Sequence, residues 1–153
     1  MSKIINTMSI KIPAKSENES FARAVVAAFC SSIDPTVDEI SDLKTAISEA
    51  VTNCVVHAYQ KRQSNDDMIT IDCQLFADAI TVTVTDQGVG IKDINQAMEP
   101  FYTTVHDGER SGMGFTVMQS FMDEISVNNH DGGGIVVSMT KHFTKEAEKV
   151  CGE

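Results

Sequence analysis

Glu49 and Asn53 are the first pair of residues whose types could carry chemistry. They lie four positions apart in the segment ISEAVTNCVVHAY, whose pattern is that of an amphipathic helix, so both side chains would share one helix face. A carboxylate can take up a proton, and an amide oxygen can bind a hard cation. The neighbouring residues are small and apolar, and burying polar groups among them costs free energy. We therefore interpret the pair as functional.

A second candidate site follows the strand-like segment ITVTVT, where Asp86, Gly88 and Gly90 form a D-x-G-x-G pattern. A carboxylate at the end of a strand is held at the rim of a sheet, and glycines let the backbone approach a flat ligand closely. A plain turn has the same composition. From these residues alone, a ligand site and a plain turn are equally supported.

The third candidate is the segment Arg110-Ser111-Gly112-Met113-Gly114, which lies just before a predicted helix. Free N–H groups at a helix N-terminus, with a guanidinium nearby, suit a phosphate chain. The alternative is a flexible entry to the helix. Thr103 and Thr104 could add hydroxyl groups or could be ordinary loop residues. The chain has no Walker A or G-x-G-x-x-G pattern.

The elements that would position these residues are helices and strands in separate groups. We predict a strand from Met8 to Pro13, a helix FARAVVAAFCSS behind a capping box of Ser16 and Glu19, and a second helix from a Thr36–Glu39 capping box to about Tyr59. A hairpin of MITIDCQLF and AITVTVTD follows, then a turn or two of helix near Ile94–Met98, the helix FTVMQSFMD, and the strands EISVNN and IVVSMTKHF. This order predicts an α+β fold: a two-layer α/β sandwich with a mixed, mostly antiparallel sheet covered on one face by helices.

Composition sets the broad class of the protein. A chain of 153 residues suits a single domain over 1–153, with a tail from about residue 145 that could be a frayed helix. No apolar run could span a bilayer and no secretion signal is evident, so we expect a cytoplasmic protein without membrane contact. The net charge of −10 argues against direct DNA binding. The four cysteines lack metal-site spacing.

The order of the three candidate motifs is more specific than any one of them. A helix with E-x-x-x-N, a strand ending in D-x-G-x-G, a long loop and a glycine-rich helix entry together resemble the GHKL family of ATP-binding domains, also called the Bergerat fold. The resemblance covers nearly the whole chain. Within that family, the segments NESFARAVVAAF, DPTVDEI, SEAVTNCVVHAY, ERSGMGF and FMDEI look like the sporulation anti-sigma factors.

This resemblance implies a nucleotide site for ATP or ADP with Mg²⁺. It implies that Asn53 binds the Mg²⁺, that Asp86 accepts a hydrogen bond from the adenine amino group, and that Glu49 is the general base of a serine/threonine kinase. Arg110 would reach the terminal phosphate. The remaining nucleotide-binding residues would be Gly88, Gly90, Thr103, Thr104, Ser111, Gly112, Met113 and Gly114.

The resemblance also implies two protein partners. The protein would be a homodimer that holds a sporulation sigma factor of the sigma-F type and phosphorylates a serine of an anti-anti-sigma factor. Glu19 and Arg23 would lie at the partner surface. The alternatives are a stress-response anti-sigma kinase, the catalytic part of a histidine kinase, and a module that holds ATP without using it.

Two positions depart from the family pattern. The family often has Gly-Thr before the last strand, whereas this chain has Gly132-Gly133-Gly134-Ile135, so a hydroxyl near the adenine would be missing or replaced by water. The family often has Lys after Thr-Thr, whereas this chain has Val105-His106, so one phosphate contact would be weaker.

Overall fold

A computed structural model describes residues 3–90, 98, 114–130 and 132–144 of the chain. Five strands of these residues form one sheet in the order β1-β2-β3-β5-β4, and all four neighbouring pairs are antiparallel. The strands are β1 (Ile4–Pro13), β2 (Met68–Phe76), β3 (Ala79–Thr85), β4 (Glu124–Asn129) and β5 (Ile135–His142).

The described helices form the second layer. α2 packs against both of the other helices, so it is the central helix of the layer. A short 3₁₀ turn, Ser31–Ile33, follows the first helix, and a π-helical turn, Cys54–Ala58, follows the second. The helices are α1 (Asn18–Cys30), α2 (Val37–Asn53) and α3 (Gly114–Phe121).

The core lies between the sheet and the helices because side chains alternate along the strands. Alternate apolar residues of β2 and β3 are buried, and so are the inward residues of α1 and α2. The opposite face of the sheet is rich in hydroxyl groups, two of which meet where Thr81 Oγ1 lies 3.0 Å from Thr140 Oγ1. The predicted two-layer α+β sandwich is confirmed. All pairs among its described strands are antiparallel, whereas the predicted mixed sheet would contain at least one parallel pair.

Local signals predict most element boundaries well. The Thr36–Glu39 capping box is present, with Thr36 Oγ1 accepting the backbone N–H of Glu39 at 3.1 Å and Glu39 Oε1 accepting that of Thr36 at 2.7 Å. The hairpin of β2 and β3 is also confirmed, with Asp72 opposite Thr83. β1 ends at Pro13 as predicted but begins at Ile4, because pairing with β2 extends the strand beyond its alternating apolar part.

The predicted capping box of Ser16 and Glu19 is wrong. α1 begins at Asn18 with Glu17 as its N-cap, and no side chain caps it. The Glu19 carboxylate instead accepts a hydrogen bond of 2.8 Å from the hydroxyl of Thr52 on α2. A contact between two packed helices therefore replaces the local cap.

The second helix does not continue as an α-helix to Tyr59. The α-helix ends at Asn53, and a π-helical turn follows in which the backbone N–H of Tyr59 bonds to the carbonyl of Cys54 at 2.9 Å. A π turn holds one extra residue, so it shifts the directions of the side chains after it, and such turns are frequent at functional sites.

Two predicted features lie outside the described residues. These are the turn of helix near Ile94–Met98, apart from Met98 itself, and the tail from residue 145. Within the described part of the chain, no helix is long and apolar enough to cross a membrane.

Candidate functional site

Asp86 lies directly after β3, at the rim of the sheet, as the sequence predicts. The residue is only 5% exposed. Its Oδ1 atom accepts two backbone N–H groups, from Gly88 at 3.0 Å and from Ile135 at 3.2 Å. Burial raises the pKa of Asp86 above its ordinary value, and these two hydrogen bonds oppose that rise. Its Oδ1 atom is therefore held by two backbone donors, and the carboxylate is poorly solvated.

The π-helical turn of the second helix docks on the segment that contains Asp86. The thiol of Cys54 lies 3.6 Å from Asp86 Oδ2. The backbone N–H of Val89 donates to the carbonyl of Ala58 at 3.1 Å. The hydroxyl of Tyr59 accepts the backbone N–H of Gln87 at 2.7 Å. The helix that carries Glu49 and Asn53 is thus joined to the D-x-G-x-G segment through its own continuation.

Two glycines make this close approach possible. A Cβ at Gly88 would overlap the backbone carbonyl of Ala58, so a side chain cannot fit there without movement. A Cβ at Gly134, whose φ is +92°, would overlap the backbone carbonyl of Asp86. The turn before β5 therefore packs directly on the backbone of the candidate site.

Glu49 and Asn53 occupy the last turn of α2, four residues apart, which corresponds to about 6 Å along the axis. Both side chains are half-buried. Asn53 immediately precedes Cys54, whose thiol contacts Asp86, so the first motif ends one residue before the contact between the helix and the second motif. The opposite, apolar side of α2 faces the core, with Leu43, Ile47 and Val51 fully buried.

Glu19 and Arg23 form an ion pair of 3.2 Å on α1, with about a third of each side chain exposed. Arg23 also donates to Ser48 Oγ at 2.9 Å, and Glu19 accepts from Thr52. Ser48 and Thr52 are the residues before Glu49 and before Asn53. The predicted partner patch is therefore bonded to the helix that carries the two candidate catalytic-site residues.

The third motif cannot be placed with the other two. Gly114 begins α3. The other members of the motif lie outside the described residues, and so do the two threonines of the preceding loop and the Val105-His106 pair. The residues concerned are Thr103, Thr104, Arg110, Ser111, Gly112 and Met113. Gly90, from the second motif, follows the docked segment with a φ of +77°.

Several residues that shape the site carry no obvious signal in the sequence. Cys54 and Tyr59 continue the apolar pattern of α2, and their contacts with Asp86 and Gln87 arise only when the helix packs on the sheet. Ile135 acts through its backbone N–H, so its bond to Asp86 does not depend on the type of side chain at this position.

The described residues of the site offer a hydrogen-bond acceptor rather than a metal site formed by protein side chains alone. Asp86 Oδ2 can accept a hydrogen bond at the sheet rim, while the space that a side chain of Gly88 would fill is taken by the backbone of Ala58. Among the described residues, no group of three or more His, Cys, Asp or Glu side chains could hold a metal ion. A single amide such as that of Asn53 suits Mg²⁺ that is held mainly by phosphates and water.

Comparison with known proteins places the chain among relatives of known family. A family profile described as "Histidine kinase-like ATPase domain" matches residues 12–141. The chain is 51% identical to an anti-sigma F factor of Clostridium beijerinckii over 138 residues, which cover 90% of this chain and 95% of the relative. It is 53% identical to an anti-sigma F factor of Caldanaerobacter subterraneus over 138 residues, which cover 90% and 94% of the two chains.

Solved structures share the fold at lower identity. The structure of the RsbU and RsbW domains of Rv1364c from Mycobacterium tuberculosis superposes with a TM-score of 0.65 at 20% identity, over 92% of this chain and 33% of that one. The catalytic domain of the histidine kinase ThkA superposes with a TM-score of 0.56 at 14% identity, over 92% and 97% of the two chains. These likenesses concern the fold alone.

Proposed function

Because the chain belongs to the anti-sigma F factor family and carries a histidine kinase-like ATPase domain, we propose that it has two coupled activities. It holds a sporulation sigma factor inactive, and it uses Mg-ATP to phosphorylate a serine of an anti-anti-sigma factor. The observation that carries this proposal is the docking of the Glu49–Asn53 helix on the Asp86 segment, through the contacts of Cys54 and Tyr59.

Asp86 is proposed to recognise the base of the nucleotide. Its Oδ1 atom is occupied by two backbone N–H groups, so Oδ2 is the oxygen that can accept the adenine amino group. A buried carboxylate makes a stronger hydrogen bond than one in water, because little solvent competes for it. The glycines at 88 and 90 shape the neighbouring wall of the pocket.

Glu49 and Asn53 are proposed to serve the transfer step. Glu49 takes the proton of the serine hydroxyl as the serine oxygen forms its bond to the terminal phosphorus and the bond to the ADP oxygen breaks. Asn53 offers its amide oxygen to Mg²⁺, which would neutralise phosphate charge when bound. An amide suits this position because a carboxylate would add negative charge beside the phosphates.

The loop and the next helix entry are proposed to bind the phosphates. Arg110 contacts the terminal phosphate, and we expect Arg110→Ala to harm ATP-dependent steps more than ADP binding. The backbone around Gly112 and Gly114 gives clearance for the phosphate chain. Further contacts come from Thr103, Thr104, Ser111 and Met113.

Glu19 and Arg23 are proposed to contact the protein partners in a homodimer. Their ion pair is partly exposed, and it is bonded to the residues next to Glu49 and Asn53.

The direct test is a phosphotransfer assay. The purified protein would be incubated with ATP labelled at the terminal phosphate, Mg²⁺ and candidate anti-anti-sigma proteins, followed by analysis of the phosphoamino acid. We expect phosphoserine on the anti-anti-sigma protein. Phosphohistidine would instead indicate a histidine kinase, and nucleotide binding without any product would indicate a module that holds ATP.

A further inference from the structure

Asp86 Oδ2 has one hydrogen-bond partner among the described residues, and that partner is the thiol of Cys54, 3.6 Å away. Oδ1 is already occupied by the backbone N–H groups of Gly88 and Ile135. A thiol is a weak donor. Oδ2 therefore keeps the capacity to accept a stronger N–H donor from a ligand.

We propose that Cys54 is a positioning residue for base recognition: its thiol holds Asp86 Oδ2 in the orientation in which that oxygen accepts the amino group of a purine base. This inference rests on the assignment of Asp86 to the adenine amino group. The two N–H groups on Oδ1 come from Gly88, in the segment after β3, and from Ile135, at the start of β5, whereas the thiol on Oδ2 comes from the helix layer. Contacts on both oxygens fix the plane of the carboxylate. Contacts on Oδ1 alone would leave the carboxylate free to rotate about that oxygen.

The position of Cys54 is itself well determined. Its carbonyl accepts the backbone N–H of Tyr59 at 2.9 Å, which is the bond that defines the π turn. The side chain is 4% exposed, so bulk water cannot readily replace the thiol. Burial, followed by the nearby charge of Asp86, raises the pKa of Cys54 well above its ordinary value, so the thiol keeps its proton and can donate.

Cys30 is a matched control for this role. It is also a buried thiol, 0% exposed, and its Sγ lies 3.4 Å from an acceptor oxygen, the backbone carbonyl of Ala27. Cys30→Ala therefore removes the same atoms and the same kind of weak bond as Cys54→Ala. Its contact is within α1 and does not involve Asp86.

The test compares two nucleotides with each variant. One is ATP, and the other is purine riboside triphosphate, which lacks the amino group on the base. We expect Cys54→Ala to weaken ATP binding by about three- to tenfold while the affinity for the analogue changes by less than about twofold. Cys30→Ala should leave both affinities unchanged. Equal losses for the two nucleotides with Cys54→Ala, or no loss at all, would overturn the proposal.

A second measurement does not depend on the Cys54→Ala protein folding. Infrared difference spectra would compare the S–H stretching bands of the wild type with those of Asp86→Asn, and of the wild type with and without ATP. We expect one S–H band to shift in both comparisons because Cys54 donates to Asp86. Unchanged S–H bands in both would contradict the inference.

The outcomes separate this inference from the proposed function. A wild-type protein that binds no ATP would contradict both. A wild-type protein that binds ATP and the analogue equally would show that Asp86 does not recognise the amino group of the base, and the positioning role of Cys54 would fall with it. If the wild type prefers ATP and Cys54→Ala behaves like Cys30→Ala, only the role of Cys54 is contradicted.

Discussion

The backbone N–H of Gln87 donates a hydrogen bond of 2.7 Å to the hydroxyl oxygen of Tyr59. The same hydroxyl donates to the backbone carbonyl of Met68 at 2.7 Å. Burial raises the pKa of Tyr59, so its hydroxyl remains protonated at neutral pH and can make both bonds. Tyr59 thus joins the end of the second helix to β2 and to the residue after Asp86.

Tyr59→Phe should remove both bonds and leave the N–H of Gln87 without this acceptor. We expect the free energy of unfolding to fall by about 1–3 kcal/mol. We also expect ATP affinity to fall, because the segment after β3 loses the hydrogen bond that holds Gln87. Urea unfolding and calorimetric titration would measure the two effects. Thr81→Val, which removes a hydroxyl contact on the open face of the sheet, should leave ATP affinity unchanged. A Tyr59→Phe protein with wild-type stability and ATP affinity would show that the two hydrogen bonds of the Tyr59 hydroxyl are dispensable.

Asp86→Asn should separate binding from stability. Loss of a charge-assisted hydrogen bond should weaken ATP and ADP binding together, by on the order of 1.5–3 kcal/mol. The folded protein should lose no stability at neutral pH, because the buried negative charge disappears while an amide oxygen can still accept the two backbone N–H groups. Calorimetric titration and thermal melting of the same sample would test both statements.

The stability difference should also depend on pH with a definite sign. Because the pKa of Asp86 is raised in the folded state, protonation favours folding. The wild type should therefore gain stability relative to Asp86→Asn as pH falls through that raised pKa, and the gain should end near pH 4, about the ordinary carboxyl pKa. A difference in melting temperature that is constant from about pH 7 to pH 4 would mean that Asp86 is not buried in its charged form.

Gly88→Ala should damage the site more than Gly132→Ala. A Cβ at Gly88 meets the backbone of Ala58, so the helix continuation and the D-x-G-x-G segment must move apart, at a cost of about 1–3 kcal/mol. A Cβ at Gly132 meets nothing within 4 Å, and only its φ of +90° opposes a side chain. Nucleotide titration of both variants should show a loss of affinity for Gly88→Ala alone. Equal losses would attribute the effect to general destabilisation.

Glu19→Ala and Arg23→Ala should weaken partner binding while ATP binding survives. Their partly exposed ion pair contributes little to stability, about 0.2–1 kcal/mol, so the main loss should be at the partner surface. Thr52→Val is the matched control, because it removes the internal hydrogen bond to Glu19 and leaves both surface charges in place. Pull-down with the sigma factor and the anti-anti-sigma factor would compare the three. If Thr52→Val weakened binding as much as Glu19→Ala, the docking of α1 on α2 would be responsible rather than the charged surface.

Local patterns in the sequence predict the elements that depend on neighbours in the chain. The Thr36–Glu39 cap and the alternation of β2 and β3 are examples, because each is determined within a few residues. The Ser16–Glu19 cap fails for the opposite reason. Thr52, 33 positions away, provides a hydroxyl donor that Glu19 uses instead.

The candidate site follows the same rule. The carboxylate at the end of β3 and the glycines after it are visible in the sequence. The π turn is not, since the apolar pattern of α2 runs through Cys54 and Ala58 without interruption. The contacts of Cys54 with Asp86 and of Tyr59 with Gln87 join elements that are about 30 residues apart, so only the packed fold creates them.

The most direct test of the proposed kinase activity is the rate of phosphoryl transfer by Glu49→Gln. Glutamine has nearly the shape of glutamate but cannot take the serine proton, so the fold, ATP binding and sigma-factor binding should persist. Phosphorylation of the anti-anti-sigma factor should fall by roughly 10²–10⁴, the usual contribution of a general base. Asp38→Asn, an exposed carboxylate in the first turn of the same helix, should retain the wild-type rate. A Glu49→Gln protein that phosphorylates its partner at the wild-type rate would contradict the assignment of Glu49 as the base.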